Sequence, residues 1–172
     1  TKKPDEVRAL TRGEPGTEVR VVIERDGEPK PLEFVLLREE IQVKNVTYVS
    51  FVDDGIAYIR LERFSRKAGD EVRRAIQESK LKQEIKGVIL DLRGNPGGLL
   101  DAAVDVVSQF VPRGSFVVST RGRRTEMDKK YYSAEEPLLP RTALVVVTDR
   151  NSASASEIVS GSLQDMGRGL II

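Results

Sequence analysis

The chain has 172 residues, with 28 Lys+Arg against 27 Asp+Glu for a formal net charge of +1, and it contains no Cys, His or Trp. Those zeros exclude a Ser-His-Asp triad, imidazole and thiolate metal sites, a thiol nucleophile and a disulfide framework, so any catalysis runs on Ser, Thr, Tyr, Lys, Arg, Asp, Glu or backbone groups. The balanced charge speaks against nucleic-acid binding, and 39% hydrophobic with 32% charged residues is the composition of a soluble globular protein of one domain, or one domain and a fragment.

In chain order, Pro4 to Leu10 reads as a short helix ended by Gly13, with a turn at Glu14-Pro15-Gly16. Val19, Val21 and Ile23 alternate with Arg20, Val22 and Glu24; Asp26-Gly27 is a hairpin signal, and Leu32, Phe34 and Leu36 return with period two. Residues 17–38 are therefore expected to form an antiparallel pair, and Glu39-Glu40 a domain junction. Val43 to Val52 and Ile56 to Leu61 read as two further strands around Asp54-Gly55. Ser65 is expected to cap a helix whose Ala68, Val72, Ala75 and Ile76 share one face. Val88-Ile89-Leu90 has the continuous apolar character of a strand buried on both faces. After a Gly-rich turn comes an apolar helix with Leu99, Leu100, Ala103, Val104, Val107 and Phe110. Phe116 to Val118 reads as a strand, residues 121–141 as a long polar loop, Leu144 to Val147 as a second buried strand, and Ile158 to Met166 as a helix. Strand, turn and helix twice over imply right-handed β-α-β units in a mixed, partly parallel sheet, an α/β fold. No apolar run approaches the roughly 20 residues of a membrane span, no signal-peptide core follows Thr1-Lys2-Lys3-Pro4, and both ends read as cut, with Gly169 to Ile172 a strand just starting.

In parallel α/β sheets, sites gather where strands end and helices begin. Two turns qualify: Asp91-Leu92-Arg93-Gly94-Asn95-Pro96-Gly97-Gly98, and Asp149-Arg150-Asn151-Ser152-Ala153-Ser154-Ala155-Ser156-Glu157. The first is neither a P-loop nor a GxGxxG motif. Gly97 and Gly98 leave backbone N–H groups open to an anion or a developing oxyanion; the plainer reading is a tight turn needing positive φ. In the second, Ser154-x-x-Glu157 fits a capping box, or one of Ser152, Ser154 and Ser156 is a nucleophile in the positive field of a helix mouth. Asp53-Asp54, Glu39-Glu40 and the cationic stretch around 121–130 read as solvated surface. No cofactor or metal site is indicated.

Together the two turns are far more specific. Gly87-Val-Ile-Leu-Asp-Leu-Arg-Gly-Asn-Pro-Gly-Gly-Leu-Leu, followed by Asn151-Ser-Ala-Ser-Ala-Ser-Glu-Ile, resembles the carboxyl-terminal processing (tail-specific) proteases, Ser/Lys endopeptidases of the S41 type. Gly55-Ile-Ala-Tyr-Ile-Arg-Leu-Glu-Arg-Phe is similar to that family's strand entering the protease core, and Arg12 to Gly27 to the second half of its PDZ domain. The resemblance implies residues 1–40 as the C-terminal half of a PDZ-like domain and 41–172 as the N-terminal part of the protease core, with a crotonase/ClpP-like sandwich. It implies Ser154 as nucleophile, the N–H groups of Gly98 and Ala155 as oxyanion donors, and supporting roles for Asp165 and Glu157. The family's general base is a lysine about twenty-five residues after the nucleophile, near position 179, which lies past Ile172; burial lowers such a lysine's pKa so that it can take the serine proton. The implied partners are proteins or peptides with recognised C-termini, in an extracytoplasmic compartment, with this stretch alone inactive. A non-catalytic scaffold binding partner C-termini is the alternative, and an exposed sheet edge invites homo-oligomers.

Overall fold

The computed structural model describes residues 3–41, 43–123 and 128–172. The chain divides into two compact units, Thr1–Val43 and Lys44–Ile172.

The first unit holds α1 (Pro4–Thr11), β1 (Glu18–Ile23) and β2 (Leu32–Leu37). Pro4 opens α1, and the Glu6 carboxylate accepts the Lys3 N–H at 3.0 Å, which satisfies an orphan donor at the helix start. β1 and β2 pair antiparallel, with Val19 opposite Leu36 and Val21 opposite Phe34, as the alternation requires. The Arg38 guanidinium binds the unit together, donating to the Thr11 carbonyl at 2.8 Å and to Thr17 Oγ1 and the Glu18 carbonyl at 2.9 Å each.

The second unit contains β3 (Val46–Asp53), β4 (Ile56–Leu61), α2 (Ala68–Lys82), β5 (Gly87–Asp91), α3 (Leu100–Ser108), β6 (Phe116–Thr120), β7 (Lys129–Tyr132), β8 (Ala143–Val147), α4 (Ala155–Asp165) and β9 (Leu170–Ile171). Five strands form one mixed sheet in the order β3-β4-β5-β8-β9, antiparallel at β3–β4 and parallel elsewhere. Alternate residues Ala57, Ile59 and Leu61 of β4 are fully buried, in one core with Val72 and Ile76 of α2, Val106 and Val107 of α3, and Val159 and Leu163 of α4. Each Val, Leu or Ile among them contributes about 1.5–3 kcal/mol by leaving water. β5 obeys its apolar sequence in part: Val88 and Leu90 are buried, while Ile89, which points to the opposite face, is half-buried.

Three local expectations are corrected. Ser65 does not cap α2: the helix starts three residues later at Ala68, with Lys67 at the cap position, and Ser65 is tied instead through its N–H to Asn45 Oδ1 at 2.9 Å. The stretch 121–141 is not all loop, since β7 pairs antiparallel with β6 as a separate ribbon, held at Phe116 and Tyr132 by an edge-to-face ring contact; residues 124–127 lie outside the described residues. Finally, α4 begins at Ala155 rather than Ile158, so Ser156 sits inside the helix.

Candidate active site

The glycine turn begins where β5 runs out of sheet. The Leu92 N–H reaches the Val147 carbonyl at 2.8 Å, and the chain then bends so that the Asn95 N–H returns to the Leu92 carbonyl at 3.1 Å. Asn95 is fully buried, and its side chain spans the bend: Nδ2 donates to the Leu61 carbonyl at the end of β4, and Oδ1 accepts the Gly97 N–H, both at 2.9 Å. Gly97 and Gly98 follow with φ of 99° and 149°, a region that favours glycine. A Cβ on Gly97 would stand 2.6 Å from the Ala153 carbonyl oxygen and 2.9 Å from Ser154 Cβ, and one on Gly98 only 2.3 Å from the Phe64 carbonyl oxygen. Both glycines therefore serve close approach as well as turning. Phe64 donates its N–H to the Gly97 carbonyl at 3.0 Å and accepts the Leu99 N–H at 2.8 Å, a parallel bridge centred on Gly98. In such a bridge the central residue turns its own N–H and C=O to the other side, away from Phe64.

The serine turn meets it from β8. Its three hydroxyls have distinct fates. Ser152 Oγ donates to the Leu92 carbonyl at 2.8 Å, and Ser156 Oγ, fully buried, to the Asn95 carbonyl at 2.9 Å. Ser154 is exposed and makes no cap hydrogen bond. Ser154 also has φ 56° and ψ −110°, the single positive φ outside glycine among the described residues, a conformation that costs on the order of 1–3 kcal/mol and persists only where surroundings hold it. Glu157 helps to hold it. Its carboxylate accepts the Ser154 N–H at 2.5 Å, the glutamate half of a capping box, while the Glu157 N–H bonds the Ser154 backbone carbonyl at 2.9 Å and leaves the hydroxyl out of the cap. Among the described residues, neither the Gly98 nor the Ala155 N–H donates a hydrogen bond. Ala155 is the first residue of α4, where free N–H groups and the helix dipole favour negative charge.

The structure thus brings Gly98, Ser154, Ala155 and Glu157 to the two facing turns. It does not bring Asp165 there: that residue closes α4, about 15 Å along the axis from Ala155 at the usual helical rise.

A second polar group at the carboxyl ends of β4 and β5 escaped the sequence reading. The Asp91 carboxylate has no exposed surface, yet it receives the Tyr58 hydroxyl, the Arg93 N–H at 2.9 Å, and Arg93 Nε and Nη2 at 3.0 and 2.7 Å. Arg60, in register with Asp91, adds a guanidinium at 3.7 Å. Burial pushes the Asp91 pKa up, but the hydrogen bonds from Arg93 and Tyr58 outweigh it and bring it down to about 2. A carboxylate closing an apolar strand was the available signal, since an unpaired Asp is almost never fully buried; Tyr58 and Arg60 gave none. Asp149 likewise joins the turns, accepting the Gly94 N–H at 2.9 Å and the Asn151 N–H at 3.0 Å. The Gly94 bond is the main cause of its lowered pKa.

Comparison with protein families matches Peptidase family S41 over residues 55–172, from the start of β4 through both turns. The chain belongs to peptidase family S41. Its S41 relatives include a carboxy-terminal-processing protease of Bartonella bacilliformis, 40% identical over 164 residues that make up 94% of this chain and 37% of the relative. A carboxyl-terminal-processing protease of Synechocystis is 35% identical over 173 residues, 98% of this chain and 39% of the relative. Among solved structures, the photosystem II D1 C-terminal processing protease superposes with a TM-score of 0.61 at 30% identity, covering 96% of this chain and 46% of that one. The chain spans less than two-fifths of the length of these two curated relatives. Its mixed α/β sheet with mostly parallel strands is the fold of its S41 neighbours.

Proposed function

We propose that the chain carries the nucleophile and oxyanion-binding half of a C-terminal processing serine endopeptidase. The observation that carries this reading is Ser154: of the three serines in its turn it alone is exposed with an uncommitted hydroxyl, on a strained backbone, facing a glycine turn with a free N–H.

Ser154 Oγ attacks the scissile carbonyl carbon as its proton passes to the general base. The carbonyl π electrons move to oxygen, and the resulting oxyanion accepts hydrogen bonds from the Gly98 and Ala155 N–H groups. Collapse of the tetrahedral intermediate expels the amine, which takes the proton from the base, and water then releases the acyl group by the same steps in reverse order. With no histidine in the sequence, a lysine near position 179, about twenty-five residues beyond Ser154, is the proposed base; an apolar pocket keeps its amine neutral. Residues 1–172 on their own then have no turnover. Glu157 holds the nucleophile turn, and Asp165 acts from the far end of α4 as a supporting residue. Residues 1–40 are proposed as the second half of a PDZ-like domain that helps select substrates by their C-termini, in a protein working outside the cytoplasm. Residues 41–172 are proposed as the N-terminal part of a protease core with a crotonase/ClpP-like sandwich.

The test compares the full-length protein with its Ser154→Ala form on a peptide with an apolar C-terminus. Cleavage, and covalent labelling by a fluorophosphonate, should both vanish in the variant. Equal cleavage by both proteins overturns the assignment of Ser154 as nucleophile, and cleavage by neither favours a non-catalytic scaffold.

A further inference from the structure

The Asn95 carbonyl oxygen sits at the junction of the two turns. It accepts the Ala153 N–H at 3.1 Å and Ser156 Oγ at 2.9 Å, so both lone pairs are used. Those donors flank Ser154 and Ala155 on either side. On the other side of the junction, the Asn95 side chain holds the Gly97 N–H, one residue before Gly98. One carbonyl therefore stands between the nucleophile with its helix-mouth donor and the glycine turn with its own donor. Serine hydroxyls inside helices usually return to a carbonyl three or four residues back, as Ser160 does with Ser156 at 3.0 Å. Ser156 instead reaches across 61 residues of sequence. Both partners are fully buried, where a polar group is retained only if satisfied.

We propose that Ser156 is a positioning residue for the oxyanion hole: through the Asn95 carbonyl it fixes the separation of the Gly98 and Ala155 N–H groups around Ser154. The proposal rests on the serine-endopeptidase reading above. Donors must lie about 2.7–3.1 Å from the oxyanion rather than from the ground-state carbonyl, and constellations of this kind tolerate about 0.5 Å of slack. Loosening the junction therefore weakens transition-state binding more than substrate binding.

The experiment uses the full-length protein and four forms: wild type, Ser156→Ala, Ser156→Cys, which keeps a weak donor, and Ser160→Ala, which removes a hydroxyl of the same helix that makes only a local bond. Ser156→Ala should lower kcat by about 10- to 100-fold, less than the roughly 10²–10³-fold of an oxyanion donor lost outright because the donor is only loosened, with KM changed less than about threefold and the pH profile unmoved. A peptide boronate, whose tetrahedral adduct mimics the intermediate, should lose affinity by the same factor as kcat. Ser156→Cys should fall between, and it carries the same test if the alanine form does not fold; Ser160→Ala should keep wild-type kcat. A fall in Tm with kcat and boronate affinity within twofold of wild type overturns the proposal, as does a loss confined to KM. Labelling that survives Ser154→Ala overturns the serine reading itself, which is a separate result.

Discussion

The glycine turn and the serine turn meet at one site but are shaped by opposite means. The glycine turn works by lacking atoms: a Cβ at Gly98 would stand 2.3 Å from the Phe64 carbonyl oxygen, so the empty position lets two backbones touch. The serine turn works by forcing a side chain where glycine would be at ease, with Ser154 at φ 56°. One turn is comfortable and intolerant of addition; the other is strained and useful only while its hydroxyl is present. Substitutions in the two turns should therefore move activity and stability in different combinations.

The largest effect and the sharpest contrast come from Ser154→Gly. In the full-length protein it should lower turnover at least about 10³-fold, the scale of losing a nucleophile. It should also raise stability by about 1 kcal/mol, because glycine adopts this φ without strain. Peptide cleavage and urea unfolding read the two; a destabilised Ser154→Gly breaks the contrast. Gly98→Ala should lower both quantities, turnover by about 10²–10³-fold through the displaced donor and stability by about 2–3 kcal/mol through backbone overpacking. Unchanged unfolding of that variant would mean that the Phe64 approach is not as close as described.

A third expectation concerns the glycine turn's root at Asp91. Its folded pKa of about 2 lies below the ordinary 3.8. Its stabilisation is thus fully present above pH 4 and is lost as pH falls from about 4 to 2, amounting to about 2 kcal/mol by proton linkage. Asp91→Asn should remove that part of the acid-unfolding curve, and an unaltered curve would refute the assignment. The smallest effect belongs to the serine turn. Glu157→Gln replaces a charge-assisted bond to the Ser154 N–H with a neutral one, which should cost about 1 kcal/mol and lower kcat a few-fold. A loss as large as that of Ser154→Gly would assign Glu157 a direct part in the chemistry.

The pairing of the two turns was legible in the sequence because each is a local pattern: an apolar run, a break rich in Gly or Ser, then a helix. The antiparallel pair of residues 17–38 was legible for the same reason, since period two survives in β1 and β2. What escaped depends on register between distant segments. Nothing near Tyr58 says that β4 will lie beside β5 and put its hydroxyl on Asp91. Nothing near Ser156 says that its hydroxyl will leave its own helix. Ser65 shows the converse: a residue of the right type near a helix start is held by Asn45, the residue before β3, and tertiary bonding outweighed the local preference. β7 was missed because its four residues, Lys129 to Tyr132, read as charged surface until β6 gives them a partner.

The Asn95 carbonyl also has a consequence in time. Its partners Ala153 and Ser156 leave the ribosome only after β5, α3, the β6–β7 ribbon and β8 have been made. Contacts of such sequence separation form late, because the intervening loop must close before any of their energy is returned. Until then only the local bonds to Glu157 act on the Ser154 backbone, too few to keep it at positive φ against its ordinary values. Ser154 thus acquires its strained posture only in the finished fold, and on the proposed serine-endopeptidase reading a half-made or half-unfolded chain is a poor hydrolase of its neighbours without any inhibitor to restrain it.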